Sequence, residues 1–184
     1  MNFDAVVIGA GAVGASTAFQ MAEAGLRVAL VDRAFPAAGT SRSTKAGIGV
    51  YPKKSGPNLL INMKGAELYP GLVARLGRDV ELEMNGVLNV AMSDEEMERM
   101  RAFVARQYET PGFQATLLSG DQARERMPAL SNVVVGAAFC PLDGQLNPML
   151  YCDALARGVV RQGGKVMPGT EVLAIEQRGG HGWA

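Results

Sequence analysis

The 184-residue chain has one histidine, two cysteines and no excess of charge of either sign. The lone histidine, His181, stands in a glycine-rich tail. Ser-His-Asp catalysis, Cys-His catalysis and a histidine metal site are therefore poorly supported. Cys140 and Cys152 are too few for a disulfide framework and read as free, buried thiols. Eighteen basic residues balance eighteen acidic ones with no basic stripe, which argues against a nucleic-acid partner. No run approaches the ~18 uninterrupted apolar residues of a membrane span. The N-terminus has neither a basic leader nor a small-residue cleavage site, so no signal peptide is read and the expected location is cytoplasmic. What the chain does have is 48% apolar residues, enough for a sizeable core. Its length suits one domain, or one domain carrying an insertion.

The informative stretch is DAVVIGAGAVGASTAFQMAEAGLRVALVDR, from Asp4 to Arg33. Ala5 to Ile8 is a short apolar run that reads as a strand buried on both faces. Gly9, Gly11 and Gly14 form G-x-G-x-x-G where that strand should turn into a helix. Gly9 permits the tight turn, Gly11 lets a pyrophosphate approach the backbone, and Gly14 lets the helix pack on the strand. The helix N-terminus then offers free N–H groups and the positive end of its dipole to phosphate. Ala18 keeps the helix–sheet contact small, and Gly25 stops the helix. Arg27 to Val31 is a second apolar strand, ending in Asp32 at about the 20-residue spacing of an acid that holds a ribose 2′-OH. A carboxylate there would repel a 2′-phosphate.

Residues 33–56 are rich in small and hydroxyl-bearing side chains. Such a segment is functional or simply a surface loop. Gly39, Thr40, Ser41 and Ser43 could supply donors to phosphate, and Ala46, Gly47 and Ile48 would let a flat ring lie on the backbone. Asn58 to Gly77 reads as a helix with Leu59, Leu60, Met63, Leu68, Leu72, Val73 and Leu76 on its apolar face, kinked or split at Pro70-Gly71. Strands are expected at Val87 to Met92, Phe113 to Leu118 and Val133 to Phe139. Between them fall a helix opened by a capping box at Ser93 to Glu96 and a short one opened at Ser119-x-x-Gln122. Met97, Met100 and Val104 are expected on the buried side of the first of these. Asn147-Pro148 starts a further helix, with Leu150, Leu155 and Val159 buried. Strands are then expected at Lys165 to Met167 and Thr170 to Glu176. The resulting fold class is α/β. A Rossmann-like βαβ domain of the glutathione-reductase type (residues 1–78 and 146–184) is interrupted by a partial α+β substrate domain (residues 79–145).

A nicotinamide dehydrogenase would bring its third parallel strand soon after the second, at Val87 to Met92. A flavoprotein with an inserted substrate domain would bring it late, at Lys165 to Met167. The two candidate strands look alike, and physical reasoning prefers the second only modestly.

Four stretches in order, VVIGAGAVGASTAFQMAEAGLRVALVDR, AAGTSRSTKAGIG, CPLDGQLNP and TEVLAIE, resemble the FAD-dependent D-amino-acid oxidase family. That family includes glycine and sarcosine oxidases and related dehydrogenases. The resemblance implies FAD as cofactor. Ala12 and Val13 would offer N–H groups to the pyrophosphate beside Gly9, Gly11 and Gly14. Asp32 would bind the ribose, flanked by Arg33. Ser41 and Arg42 would touch the phosphate and ribityl region. Ala46, Gly47 and Ile48 would line the flavin, and Val172 would meet the adenine through its backbone. Lys45 departs from the small or amide residue expected there; its charge would tune the flavin or point to solvent.

The implied reaction oxidises the C–N bond of a small amino acid or secondary amine by hydride transfer to flavin, with oxygen or another acceptor taking the electrons. The groups that clamp the substrate come mainly from the second half of family chains, so no catalytic residue is assigned. The tail RGGHGWA follows the first strand of an expected β-meander. The expectation is therefore an N-terminal half. It would act within an oxidoreductase, or be an inactive dinucleotide-binding fragment, or be one half of a split enzyme completed by a second polypeptide.

Overall fold

The computed structural model describes residues 2–178 and 182–183. In chain order the elements are β1 (Ala5–Ile8), α1 (Ala12–Glu23), β2 (Val28–Val31), a 3-10 turn at Thr40–Ser43, β3 (Gly47–Ile48) and α2 (Pro57–Leu76). Then come β4 (Val87–Ala91), α3 (Asp94–Gln107), β5 (Thr116–Ser119), α4 (Gly120–Arg126), β6 (Gly136–Cys140), β7 (Gly144–Gln145), α5 (Pro148–Arg161), β8 (Lys165–Met167), β9 (Gln177–Arg178) and β10 (Gly182–Trp183). They fall into two compact units, one of residues 1–46, 73–81 and 147–184, the other of residues 47–72 and 82–146.

The first unit is built on a parallel sheet of order β1-β2-β8. β2 pairs with β1 from Ala5↔Val28 to Ile8↔Val31, and with β8 from Ala29↔Lys165 to Val31↔Met167. The third parallel strand is therefore the late one, as a flavoprotein with an insertion requires. α1 and α5 cross closely because Gly158 has no side chain: a Cβ there would lie 2.6 Å from the Phe19 ring. Phe19, Leu155 and Val159 are fully buried at this seam. At about 1.5–3 kcal/mol for each such side chain, the seam outweighs an exposed ion pair such as Arg75–Glu23 (3.2 Å), a type that contributes ~0–1 kcal/mol. Asn147 caps α5 by accepting the Met149 and Leu150 N–H groups, with Pro148 at the first helical position. Leu150, expected in the core, is exposed.

β1 departs from the expectation of burial on both faces. Its residues alternate, and Val6 and Ile8 are 56% and 52% exposed. β1 lies at the edge of its sheet, and no helix among the described residues covers that face. The strand expected at Thr170 to Glu176 is also not formed. A strand needs a ladder partner, and residues 171–176 have none among the described residues; Leu173 and Ile175 are exposed. His181 lies outside the described residues.

The second unit carries an antiparallel sheet of order β4-β6-β5. Leu118, Ala123 and Ala137 form its small core, with Leu88, Leu130 and Phe139 packed around them. α3 is amphipathic as expected, with Met97 and Val104 buried and Met100 half-buried. Its cap differs in one bond. Ser93 accepts the Glu96 N–H at 3.2 Å, but the Glu96 carboxylate accepts from Met92 (2.7 Å), one residue before the expected partner. The box at Ser119 and Gln122 is complete in both directions. β3 and β7 form a short antiparallel pair.

α2 is continuous through Pro70 rather than split. Pro70 is exposed, so its ring points to water. Leu60 and Leu68, expected in the apolar face of this helix, are also exposed, while Leu59, Met63, Leu72 and Leu76 are buried.

Candidate functional site

The site begins where β1 turns into α1. Gly9 has φ +98°, a left-handed conformation that favours glycine. A Cβ on Gly14 would fall 1.9 Å from the Gly9 carbonyl oxygen, so only glycine lets the helix lie this close to the turn. Gly11 is the N-cap of α1 and brings no side-chain cap. Gly11 closely faces Ser41: a Cβ there would stand 3.1 Å from the hydroxyl oxygen. The Val13 and Gly14 N–H groups meet no acceptor among the described residues. A helix start with free donors and no side chain in front is suited to an anion.

Ser41 takes the remaining donor. Its hydroxyl oxygen accepts the Ala12 N–H at 2.9 Å. Behind it lies the Cys152 thiol of α5; burial pushes this thiol upward, and the neighbouring Ser41 hydroxyl opposes that shift. The structure thus brings Ala12, Ser41 and Cys152 together, and the last of these had no motif to mark it. Arg42 is exposed in the same 3-10 turn and forms no ion pair with any described residue.

Asp32 follows the end of β2. One carboxylate oxygen accepts the Ala10 N–H at 2.7 Å, and the other accepts the Ala34 N–H at 2.8 Å. A carboxylate has about four lone-pair sites, so acceptor capacity remains for hydroxyl donors. The backbone of Asp32 also fixes the segment after β8. Its N–H donates to Met167 (3.2 Å), and its carbonyl accepts from Thr170 (2.8 Å). These bonds border a cleft of about 400 Å³ whose walls include Gly9, Asp32, Arg33, Gly39, Glu171 and Val172. Arg33 and Val172 are both exposed there. The glycine turn, the acid and the 170–172 backbone thus surround one space within the first unit.

In the first unit, Ala46 has φ +63°, a left-handed conformation rare for a residue with a side chain. Lys45 beside it is exposed. In the second unit, Gly47 and Ile48 form β3, paired with Gln145 and Gly144. Ile48 is buried and Gly47 exposed. The turn after β3 is held by Asp143, a residue of the CPLDGQLNP stretch that sequence reasoning left without a role. One of its oxygens accepts both the Val50 N–H (2.5 Å) and the Tyr51 N–H (3.0 Å).

A larger cleft of about 470 Å³ lies in the second unit, bordered by Asn85, Leu88, Arg126 and Phe139. Arg126 stacks over the Phe139 ring at 4.3 Å. That cleft has no glycine turn at a helix start and no carboxylate in its wall, so it lacks the parts that hold a dinucleotide. Among the described residues no group of three or more His, Cys, Asp or Glu could hold a metal ion. No helix among them is long and apolar enough to cross a membrane.

The residues around the glycine turn fit an ADP-containing cofactor: free N–H groups at a bare helix start for the pyrophosphate, and a carboxylate with spare acceptors for the ribose. Comparison with known proteins points the same way. The pattern of the family described as FAD dependent oxidoreductase (DAO) matches residues 4–184. One of the subunits of opine oxidase from Agrobacterium tumefaciens is 31% identical over 182 residues, which cover 94% of this chain and 49% of that protein. Glycine oxidase of Bacillus licheniformis is 26% identical, with 97% of this chain and 48% of the relative covered. Among solved structures, glycine oxidase from Bacillus cereus superposes with a TM-score of 0.89 at 28% identity, covering 96% of this chain and 49% of that one. The chain spans about half the length of the curated relatives it matches.

Proposed function

The chain belongs to the DAO family of FAD-dependent oxidoreductases, and from that membership we propose that it binds FAD and serves the oxidation of a C–N bond in a small amino acid or secondary amine. The observation that carries the cofactor half of this reading is the glycine turn of the first unit, bonded to Asp32 through the Ala10 N–H and followed by the helix start with its unpartnered Val13 and Gly14 N–H groups. The substrate half is supported by relatives named for glycine and opine oxidation.

Bound FAD supplies a hydride acceptor for the substrate α-carbon. The protein's part is to hold and orient it. Val13 and Gly14 donate to the pyrophosphate, with the dipole of α1 behind them. Ser41 stands in front of Ala12, so its hydroxyl meets the phosphate where the Ala12 amide would otherwise do so. Asp32 accepts the ribose hydroxyls with Arg33 flanking it, Arg42 reaches the phosphate and ribityl region, and the Val172 backbone meets the adenine. Ala46, Gly47 and Ile48 present backbone to the ring. The electron acceptor is oxygen or another oxidant. No catalytic side chain is assigned among these residues.

The half-length span supports a second reading, in which this chain holds the dinucleotide and residues outside it complete the substrate site. Three relatives are named as subunits, which supports a partner polypeptide. A cytoplasmic location belongs to the same proposal; the unbridged Cys140 and Cys152 agree with a reducing compartment.

The test is anaerobic. The FAD-loaded chain is mixed with a panel of amino acids, secondary amines and hydroxy acids, and the visible flavin band is followed. Bleaching by one class of amine supports the first reading. Stable flavin throughout, restored to reactivity by a co-expressed partner, supports the second. A chain that bleaches only with hydroxy acids contradicts the C–N assignment.

A further inference from the structure

Asp143 is the one buried carboxylate among the described residues, 3% exposed, and it forms no ion pair with any of them. A buried charge without a cation is costly unless hydrogen bonds compensate. Here one oxygen receives two backbone N–H groups, from Val50 and Tyr51, more than 90 residues earlier in the chain. The donors belong to the turn directly after β3. β3 itself is paired with β7, whose first residue, Gly144, follows Asp143. Asp143 also lies in the turn joining β6 to β7: its N–H donates to the Cys140 carbonyl (3.4 Å) and its carbonyl accepts from Gly86 (3.0 Å). A Cβ on Gly144 would stand 2.6 Å from the Glu83 carbonyl oxygen, so this turn has little room to shift. Tyr51 is held further by its ring against Phe103 (5.3 Å between centroids), and Gln107 donates to the Lys53 carbonyl.

The segment from Gly47 to Tyr51 is thus fixed at its start by a strand pair and at its end by a single carboxylate oxygen. We propose that Asp143 is a positioning residue for the cofactor: it holds the 47–51 backbone in the shape that receives the flavin ring. This rests on the FAD reading above. Asp143 belongs to the second unit and the nucleotide cleft is lined by residues of the first alone, so the expected effect is on FAD binding and not on ADP binding.

Binding of ADP and of FAD to the full chain, each by calorimetry, tests this for wild type, Asp143→Ala and Asp143→Asn. Leu118→Ala serves as a control that loosens the same unit elsewhere. Wild type is expected to bind FAD more tightly than ADP. Asp143→Ala should lose about tenfold or more of that difference while ADP affinity is kept. Asp143→Asn should recover it, because its amide oxygen can accept the same two N–H groups. The visible circular dichroism of bound flavin should change in Asp143→Ala and not in Leu118→Ala. An unchanged FAD-to-ADP ratio in Asp143→Ala, or an equal loss in Leu118→Ala, overturns the proposal. Wild-type binding of ADP with no extra affinity for FAD overturns it and leaves the nucleotide cleft standing. Failure of wild type to bind either one overturns the cofactor reading, and this proposal with it.

Discussion

The carboxylate of Asp32 accepts the amide N–H of Ala10 at 2.7 Å, joining the end of the second strand to the turn after the first. One acid therefore does two things: it fixes the glycine turn and it presents its remaining lone pairs to the cleft. Asp32→Ala should weaken FAD binding by about tenfold or more, since hydrogen bonds to a charged group contribute about 1.5–3 kcal/mol. It should also lower the melting temperature of the cofactor-free chain, because the Ala10 and Ala34 amides lose their acceptor. Flavin fluorescence titration and thermal unfolding check both. An Asp32→Ala chain with wild-type affinity would remove the acid from the site.

Gly14→Ala places a methyl 1.9 Å from the Gly9 carbonyl oxygen. The neighbour is backbone, so the helix must move away from the turn. The expected cost is at least the ~1–3 kcal/mol of an overpacked core position, read as a lower denaturation midpoint, together with loss of FAD binding. Gly158→Ala, whose Cβ meets the Phe19 ring at 2.6 Å, should be destabilising on a similar scale while the cleft keeps its affinity once the chain is folded. Equal loss of cofactor affinity in the two variants would mean that general loosening, not the turn, governs binding.

Ser41→Ala frees the Ala12 N–H and removes the hydroxyl from Cys152. If the hydroxyl meets the phosphate as proposed, FAD and ADP affinity should fall together, by several-fold. If it only blocks the amide, both should rise. Calorimetry with ADP alone distinguishes the two.

Alkaline stability follows from the buried thiols. Burial pushes the Cys140 thiol up to about 11 from 9.0, with the Asp143 charge adding to the shift. Cys152 and Tyr51 are also raised, first by burial. The unfolded chain ionises Cys140 near 9 while the folded chain keeps the proton. Stability is therefore complete below about pH 9 and declines as pH rises through about 11. Urea unfolding between about pH 8 and 11 should show this decline, and Cys140→Ala should flatten it. A flat profile for the wild type contradicts the burial argument.

The parts of this fold that were legible in the sequence are those that one short segment determines. The glycine turn, the Asn147-Pro148 cap and the Ser119–Gln122 box each rest on neighbours within a few residues. The late third strand was legible through element order, and the pairing of β2 with β8 bears that out. What was not legible depends on distant partners. Leu60 and Leu68 match the apolar period of α2 but face water, since periodicity does not say how wide a stripe the fold will cover. Residues 171–176 have strand-like composition without a strand to pair with. Asp143 bonds to Val50 and Tyr51, and Cys152 neighbours Ser41, each far away in the chain, and no local motif announces such a pairing.

The most direct measurement is flavin retention. The purified chain is saturated with FAD, passed through a gel-filtration column and scanned for visible flavin absorbance, beside Gly11→Glu, whose carboxylate would occupy the phosphate position in front of α1. The wild-type peak is expected to keep its flavin and the variant peak to emerge without it. Folded wild-type protein that emerges colourless, or a Gly11→Glu peak that keeps its flavin, would contradict the claim that this glycine turn holds FAD.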